Sequence, residues 1–175
     1  EETIIVPPAA DELIARFGYT LIHPYDNDAV IAGAGTATLE LWEQTGGVDI
    51  LVTPVGGGGL VSGSAVAAAG MVQQTVVVAA EPERADDAFR SLAAGSIVKN
   101  VSADTIADGL RTTLCDRTFA IIRQYVQSIV TVSEPEIIDA MRFLWERMKL
   151  VAEPSGAVAL AGVLSNKIPV RDKRV

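Results

Sequence analysis

Apolar and polar positions along the chain fall into two alternating periods. Three short runs, Asp49 to Val55 (DILVTPV), Thr75 to Glu81 (TVVVAAE) and Ser128 to Ser133 (SIVTVS), read as strands. The continuously apolar ones suit strands covered on both faces of a parallel sheet. Between them lie longer stretches with helical character: Ala29 to Gln44, Leu60 to Val72, ADDAFRSLAAG closed by Gly95, TFAIIRQYV, Pro135 to Leu150, and a small-residue helix in EPSGAVALAGVL. Asn27 or Asp28 supplies an N-cap for the first of these. Ser133 with Glu136 three residues on forms a capping box for the helix over Pro135 to Leu150. TLIHP (Thr20 to Pro24) reads as a further strand, YDND as a turn, IADGLRT as a loop, and DKRV at the end as the start of another strand. Pro7 and Pro8 break the first segment, which goes on as a short helical pattern. Strands alternating with helices predict an α/β fold, a parallel twisted sheet flanked by helices.

Composition narrows this picture in three ways. The 175 residues are one domain's worth, and 49% apolar content with a mean hydropathy of +0.32 argues against disorder. Aromatics make up only 5%, so the core rests on Ala, Val, Ile and Leu. No apolar run approaches the ~20 residues of a membrane span, and no secretory signal is recognisable. Cys115 is the single cysteine, which excludes an internal disulfide framework and fits a reducing cytoplasm. A net charge of −8 argues against nucleic acid as a partner. The densest basic clusters, Arg171, Lys173 and Arg174 and then Arg147 and Lys149, make no broad stripe.

One stretch changes the picture more than any total. TPVGGGGLVSG, Thr53 to Gly63, runs from a strand through four glycines into a helix. Bare backbone at a helix N-terminus is a general anion-binding arrangement, because free N–H groups and the positive end of the helix dipole converge there. A P-loop reading fails, since Leu60-Val61-Ser62 follows the glycines where Gly-Lys-Ser/Thr would be needed. A dinucleotide fingerprint G-x-G-x-x-G meets a non-glycine in every register that starts within the run. Glu81 nevertheless ends the next strand where a ribose-binding acid would stand. The phosphate of another cofactor, or a tight turn serving close strand–helix packing, are the remaining readings.

The run does not stand alone. VTPVGGGGLVSG, preceded by HPYDNDAVIAGAGT and followed by AAEPERADDAFRS, TIADGLRT and FLWERMKLVAEPSGAVALA, closely resembles the serine/threonine dehydratase and serine racemase group. These are pyridoxal-phosphate enzymes of the second fold type. The resemblance covers about Thr20 to Val175, with its motifs in order, and bacterial threonine/serine dehydratases look most similar. It implies that Gly56, Gly57, Gly58 and Gly59 wrap the phosphate of pyridoxal 5′-phosphate with backbone amides. Gly109 would lie beside the cofactor ring, and Glu153 would sit close to the ring and orient it. Glu153 also reads simply as a residue favoured by a helix dipole. In Glu81 to Asp87 the resemblance implies a divalent-cation site, Mg²⁺ or Ca²⁺, held by the carboxylates of Glu81 and Asp87 and the carbonyl of Ala85. The same segment also reads as a helix start with acids in its first turn. His23 and Cys115 read as structural. Lys149 falls where the racemase branch has a nucleotide contact at a subunit interface, and equally reads as a surface lysine near a helix C-terminus.

The resemblance also implies residues that are not found. The group carries its cofactor on a lysine in a Ser-Phe-Lys-x-Arg-Gly motif; Lys99, Lys149, Lys167 and Lys173 stand in no such motif and none precedes the glycines. Nor is there a Ser-Gly-Asn-His-like loop for the substrate carboxylate, or the Ser-Gly-Gly-Asn segment that follows KRV in relatives. The expectation is therefore a fragment cut at both ends. Residues 1–24 would be a remnant or junction of a smaller domain, and 25–175 the C-terminal part of the large cofactor-binding domain. The parent would convert L-threonine or L-serine to a 2-oxo acid and ammonia as a homodimer or tetramer, the chain alone being inactive. A serine racemase, a hydroxyaspartate lyase or a non-catalytic phosphate-binding domain are the alternatives.

Overall fold

The computed structural model describes residues 8–71, 74–100 and 102–175. The break at Pro7 and the end of the expected helix at Val72 lie outside them. Helices α1 (Pro8–Phe17) and α2 (Asp28–Thr45) lead into strand β1 (Ile50–Pro54). Then follow α3 (Gly59–Ala69), β2 (Val76–Pro82), α4 (Asp87–Ala94), α5 (Asp116–Tyr125), β3 (Ser128–Val132), α6 (Glu134–Phe143) and α7 (Pro154–Leu164).

The strands form one parallel sheet in the order β1-β2-β3, with Ile50 beside Val76 and Val78 beside Ser128. Its central strand explains the continuous apolar run. Val77 and Ala79 point into a core with Val61, Ala65, Phe119 and Ile122 from α3 and α5. Ala80, one step out of phase, packs with Val132, Ile137, Val158 and Ala161 beneath α6 and α7. Both faces of β2 are thus covered, which is why Val77 to Ala80 are all apolar and the acid Glu81 comes only at the strand's end.

Local chemistry sets most of the boundaries. The Asn27 side chain accepts from the amides of Ala29 and Val30 and starts α2, and Gly46 ends it at a φ of 73°. Gly95 stops α4 at a φ of 71°. The capping box of Ser133 and Glu136 is formed, but the helix does not continue to Leu150 as one α-helix: Leu144–Met148 widens to a π turn that ends at Lys149 in the left-handed region.

Thr20 to Pro24 is not a strand. His23 Nδ1 accepts the Asp26 amide at 2.9 Å and draws the backbone into a turn, leaving Leu21 and Ile22 exposed. IADGLRT contains one short 3₁₀ turn, Asp108–Leu110. DKRV forms no strand either, although Arg174 sits at the free edge of β1, its carbonyl accepting from the amides of Asp49 and Ile50. No described helix is long and apolar enough to cross a membrane.

Candidate functional site

β1 ends at Pro54, and the glycines turn the chain directly into α3. Gly56, Gly57, Gly58 and Gly59 are all buried. Each is crowded on the side where a Cβ would stand. An added Cβ would lie 2.9 Å from Leu110 Cα at Gly56, 2.3 Å from the Tyr25 ring at Gly57, 2.8 Å from Thr118 Cβ at Gly58 and 2.8 Å from Tyr25 Cβ at Gly59. Gly58 also has a φ of 88°, open to glycine and strained for other residues. No described residue accepts from the amides of Gly56, Gly57 or Gly58. The loop is therefore a cradle with unspent N–H groups at the N-terminus of α3, and it is glycine because nothing larger fits.

The cradle floors a cleft of about 440 Å³. Pro24 and Tyr25 form one wall, Gly109, Leu110 and Thr112 another, and Glu153, Ser155 and Gly156 a third. The third wall is the start of α7, so two helix N-termini converge on one space. Ser155 Oγ accepts the Gly109 amide at 3.0 Å and ties the second wall to the third. Glu153 is the N-cap residue of α7, exposed at the cleft, and its side chain caps no amide. The six residues expected around a cofactor (Gly56 to Gly59, Gly109 and Glu153) thus share one cleft.

Sequence reasoning missed three contributors. Tyr25 lies against Gly57 and Gly59 and edge-on to His23, with ring centroids 4.6 Å apart. Burial pushes its hydroxyl above the usual tyrosine range. Arg117 pairs with Asp26 at 2.9 Å and with Asp28, pinning the Tyr25 turn to α5. Thr118 Oγ1 donates to the Gly57 carbonyl at 2.9 Å. Tyr25 falls in the YDND turn and Thr118 opens the expected helix TFAIIRQYV, but Arg117 and Thr118 act across a gap in sequence that no local pattern spans.

The expected cation segment occupies the end of β2 and the turn into α4. Glu81 and Asp87 are both fully buried, and Ala85 is buried between them in a 3₁₀ turn, Glu83–Ala85. Glu81 accepts from the amides of Ala88 and Phe89 at 3.1 and 2.9 Å. Asp87 accepts from Asn100 Nδ2 at 2.6 Å and from the Leu114 amide at 3.2 Å. Burial first, and then the charge of Asp87, push the Glu81 carboxyl up to about 9. Burial raises Asp87 to about 6 against the pull of its hydrogen bonds. Two buried acids with hydrogen bonds but no direct salt bridge, only the more distant charge of Arg90 acting on Asp87, are a donor set that suits a hard cation completed by water. Among the described residues no third acid, histidine or cysteine joins them.

That burial has a measurable consequence. Between the ordinary carboxyl value of 4.5 and about 9, folded Glu81 keeps a proton that the unfolded chain has released. Stability then falls as pH rises across this window. Without divalent cations, the thermal midpoint is expected to drop from pH 5.5 to 8.5, and Glu81→Gln to flatten the profile. A wild-type midpoint that holds or rises over this range contradicts the assignment.

The other candidates fall outside the cleft. Lys149 is exposed and its Nζ donates to the Glu146 carbonyl at 2.9 Å. Cys115, half-buried, is the N-cap of α5. Lys167 bridges Glu136 at 2.7 Å and the Thr131 carbonyl at 2.9 Å. None of the lysines lines the cleft.

Comparison with known proteins gives the same direction. The chain is 45% identical over 161 residues to the beta-hydroxyaspartate dehydratase of Paracoccus denitrificans, covering 92% of this chain and 51% of that protein. It is 47% identical to the serine racemase of Dictyostelium discoideum, over 93% of this chain and 50% of that one. The crystal structure of a T.th. threonine deaminase superposes with a TM-score of 0.86 at 48% identity, over 89% of this chain and 59% of that chain. The chain spans about half the length of the curated relatives it matches. Residues 6–175 match the family described as pyridoxal-phosphate dependent enzyme, and with its fold and cleft now in view the chain belongs to that family.

Proposed function

We propose that this chain forms the phosphate-binding side of the active site of a pyridoxal-phosphate-dependent ammonia-lyase that acts on L-threonine or L-serine. The observation that carries the reading is the glycine cradle, whose free buried amides meet two helix N-termini in one cleft. A phosphate dianion fits such a site: it takes several N–H donors and needs no side chain to reach it. The bound cofactor supplies an electron sink for the substrate carbon that loses its proton.

The chain's own residues divide the remaining work. Gly56 to Gly59 hold the phosphate. Gly109, where an added Cβ would stand 3.0 Å from Ser155 Oγ, lets the second wall close onto Ser155 beside the cofactor, and Glu153, at the start of α7, would orient the ring. Glu81, Asp87 and the Ala85 carbonyl hold Mg²⁺ or Ca²⁺ and so keep the β2–α4 turn in place. No lysine lines the cleft. Residues 25–175 act here as part of a larger cofactor-binding domain.

Relatives named as racemase and as hydroxyaspartate dehydratase match about equally well, and the substrate is a matter for kinetics. The phosphate cup is tested directly with pyridoxine 5′-phosphate, which has no aldehyde to react with surface lysines. It should bind at least tenfold more tightly than pyridoxine. Equal binding of the two overturns the reading, whereas robust 2-oxo acid release from serine or threonine by this chain alone overturns only the expectation that the chain by itself is inactive.

A further inference from the structure

This inference rests on the phosphate-cradle reading above and extends it. The cleft wall of Pro24 and Tyr25 is drawn in by one acceptor atom. His23 Nδ1 accepts the Asp26 amide at 2.9 Å and the Tyr25 amide at 3.4 Å. A ring nitrogen that accepts carries no proton, so the imidazole is neutral with its proton on Nε2. The backbone it holds lies directly on the cradle. A Cβ at Gly59 would meet Tyr25 Cβ at 2.8 Å, Tyr25 Cα at 3.1 Å and the Pro24 carbonyl oxygen at 3.6 Å. The Tyr25 ring covers Gly57 and meets the His23 ring edge-on. Two of the four cradle glycines thus rest against the turn that His23 closes.

The groups around this turn are Tyr25 and Asp26 on the turn itself, Asp28 at the start of α2, and Cys115 and Arg117 at the start of α5. Arg117 bonds both aspartates, and its guanidinium holds Asp26 below the usual carboxylate range. Burial pushes Tyr25 above its own range. Neither changes charge between pH 5 and 8, the range in which histidine gains and loses its proton. A proton on Nδ1 would set one N–H against two others. The charge of Asp26 attracts such a ring but cannot restore the lost acceptor, so the Tyr25 and Asp26 amides are released. We propose that His23 is a positioning residue for the phosphate cradle, holding the Tyr25 wall against Gly57 and Gly59 only while Nδ1 is free of a proton. The cradle then weakens on acidification. Coupling of this kind is reciprocal, so an anion in the cradle favours the neutral ring by the same factor.

The experiment uses the chain as it stands, with pyridoxine 5′-phosphate as probe, at pH 8 and pH 5.5. His23→Asn keeps an acceptor in place without titrating, as Asn27 does when it accepts the amides two and three residues ahead. An ordinary imidazole is only about one-tenth neutral at pH 5.5, and apparent affinity follows the competent fraction. Wild type should therefore lose about tenfold more affinity than His23→Asn between the two pH values. Asp87, raised to about 6, and the probe's own phosphate titrate alike in both proteins and cancel in the comparison. His23→Ala, without an acceptor, should bind about tenfold more weakly than His23→Asn already at pH 8. Thermal melts report whether each variant is folded; a histidine that only supported the fold would shift these midpoints and leave the affinity ratios alone. His23 is the only histidine, so its NMR titration in the wild type needs no variant. Saturating probe should move that titration to lower pH, whereas the bare charge of a phosphate would move it up. An upward or unmoved titration, equal losses in wild type and folded His23→Asn, or equal binding at pH 8 by folded His23→Ala and His23→Asn overturns the role of His23 and leaves the cradle intact. No probe binding by wild type at pH 8 overturns the cofactor reading, and this inference with it.

Discussion

Gly63→Ala is expected to destabilise the chain by about 3 kcal/mol, at the upper end of what overpacking costs. Helices α2 and α3 cross where Gly35 faces Gly63. A Cβ on Gly63 would stand 2.2 Å from the Ile31 carbonyl oxygen, 2.6 Å from the Gly35 nitrogen and 3.1 Å from the Ala34 carbonyl carbon. All three are backbone atoms, so no rotamer change opens the space and the helices themselves must part. The loss reaches the site because α3 begins in the glycine cradle. Gly33→Ala is the contrasting control on α2: nothing lies within 4 Å of its Cβ position. There alanine should gain about 1 kcal/mol from helix propensity alone. Urea denaturation of the two variants checks both signs. A Gly63→Ala midpoint close to wild type would mean that α2 and α3 do not cross as closely as described.

These two glycines also show why some of the molecule could be read in advance. β1, β2 and β3 lie within a residue or so of where their apolar runs place them, because a strand covered on both faces is apolar along most of its length. Asn27 and the Ser133–Glu136 box act on amides two or three residues away, so their effect is local and visible. The strand expected at Thr20 to Pro24 failed for the opposite reason. Its apolar residues suggested burial, but His23 bends the chain three residues on and leaves Leu21 and Ile22 exposed. The π turn at Leu144–Met148 has no glycine or proline to announce it. In the site, the cradle, Gly109 and Glu153 were legible because they belong to compact motifs. Thr118 was not, since it reaches Gly57 from 61 residues away. Nothing in a linear pattern distinguishes that threonine from one that caps its own helix.

Gly58→Ala should have the largest effect on ligand binding, because a conformational and a steric objection fall on one residue. Gly58 sits at a φ of 88°, a left-handed conformation that costs a residue with a Cβ about 1–2 kcal/mol. The new Cβ would also meet Thr118 Cβ at 2.8 Å and Leu114 Cδ2 at 2.9 Å. Thr118 Cβ is bonded to its own backbone, and Thr118→Ser would leave that atom where it is. The alanine must therefore change its own φ, which rotates the Gly58 N–H out of the cradle. Pyridoxine 5′-phosphate affinity is expected to fall about 100-fold, close to the loss of one charge-assisted hydrogen bond of about 3 kcal/mol. Gly57→Ala meets an obstacle of another kind, the Tyr25 ring, which can turn about its side-chain bonds. It should unsettle the cleft wall while costing less stability than Gly58→Ala. Probe titrations and melts on both variants separate the two effects. If Gly58→Ala binds the probe within threefold of wild type, the Gly58 amide does not hold the phosphate, and the cradle must bind through other groups.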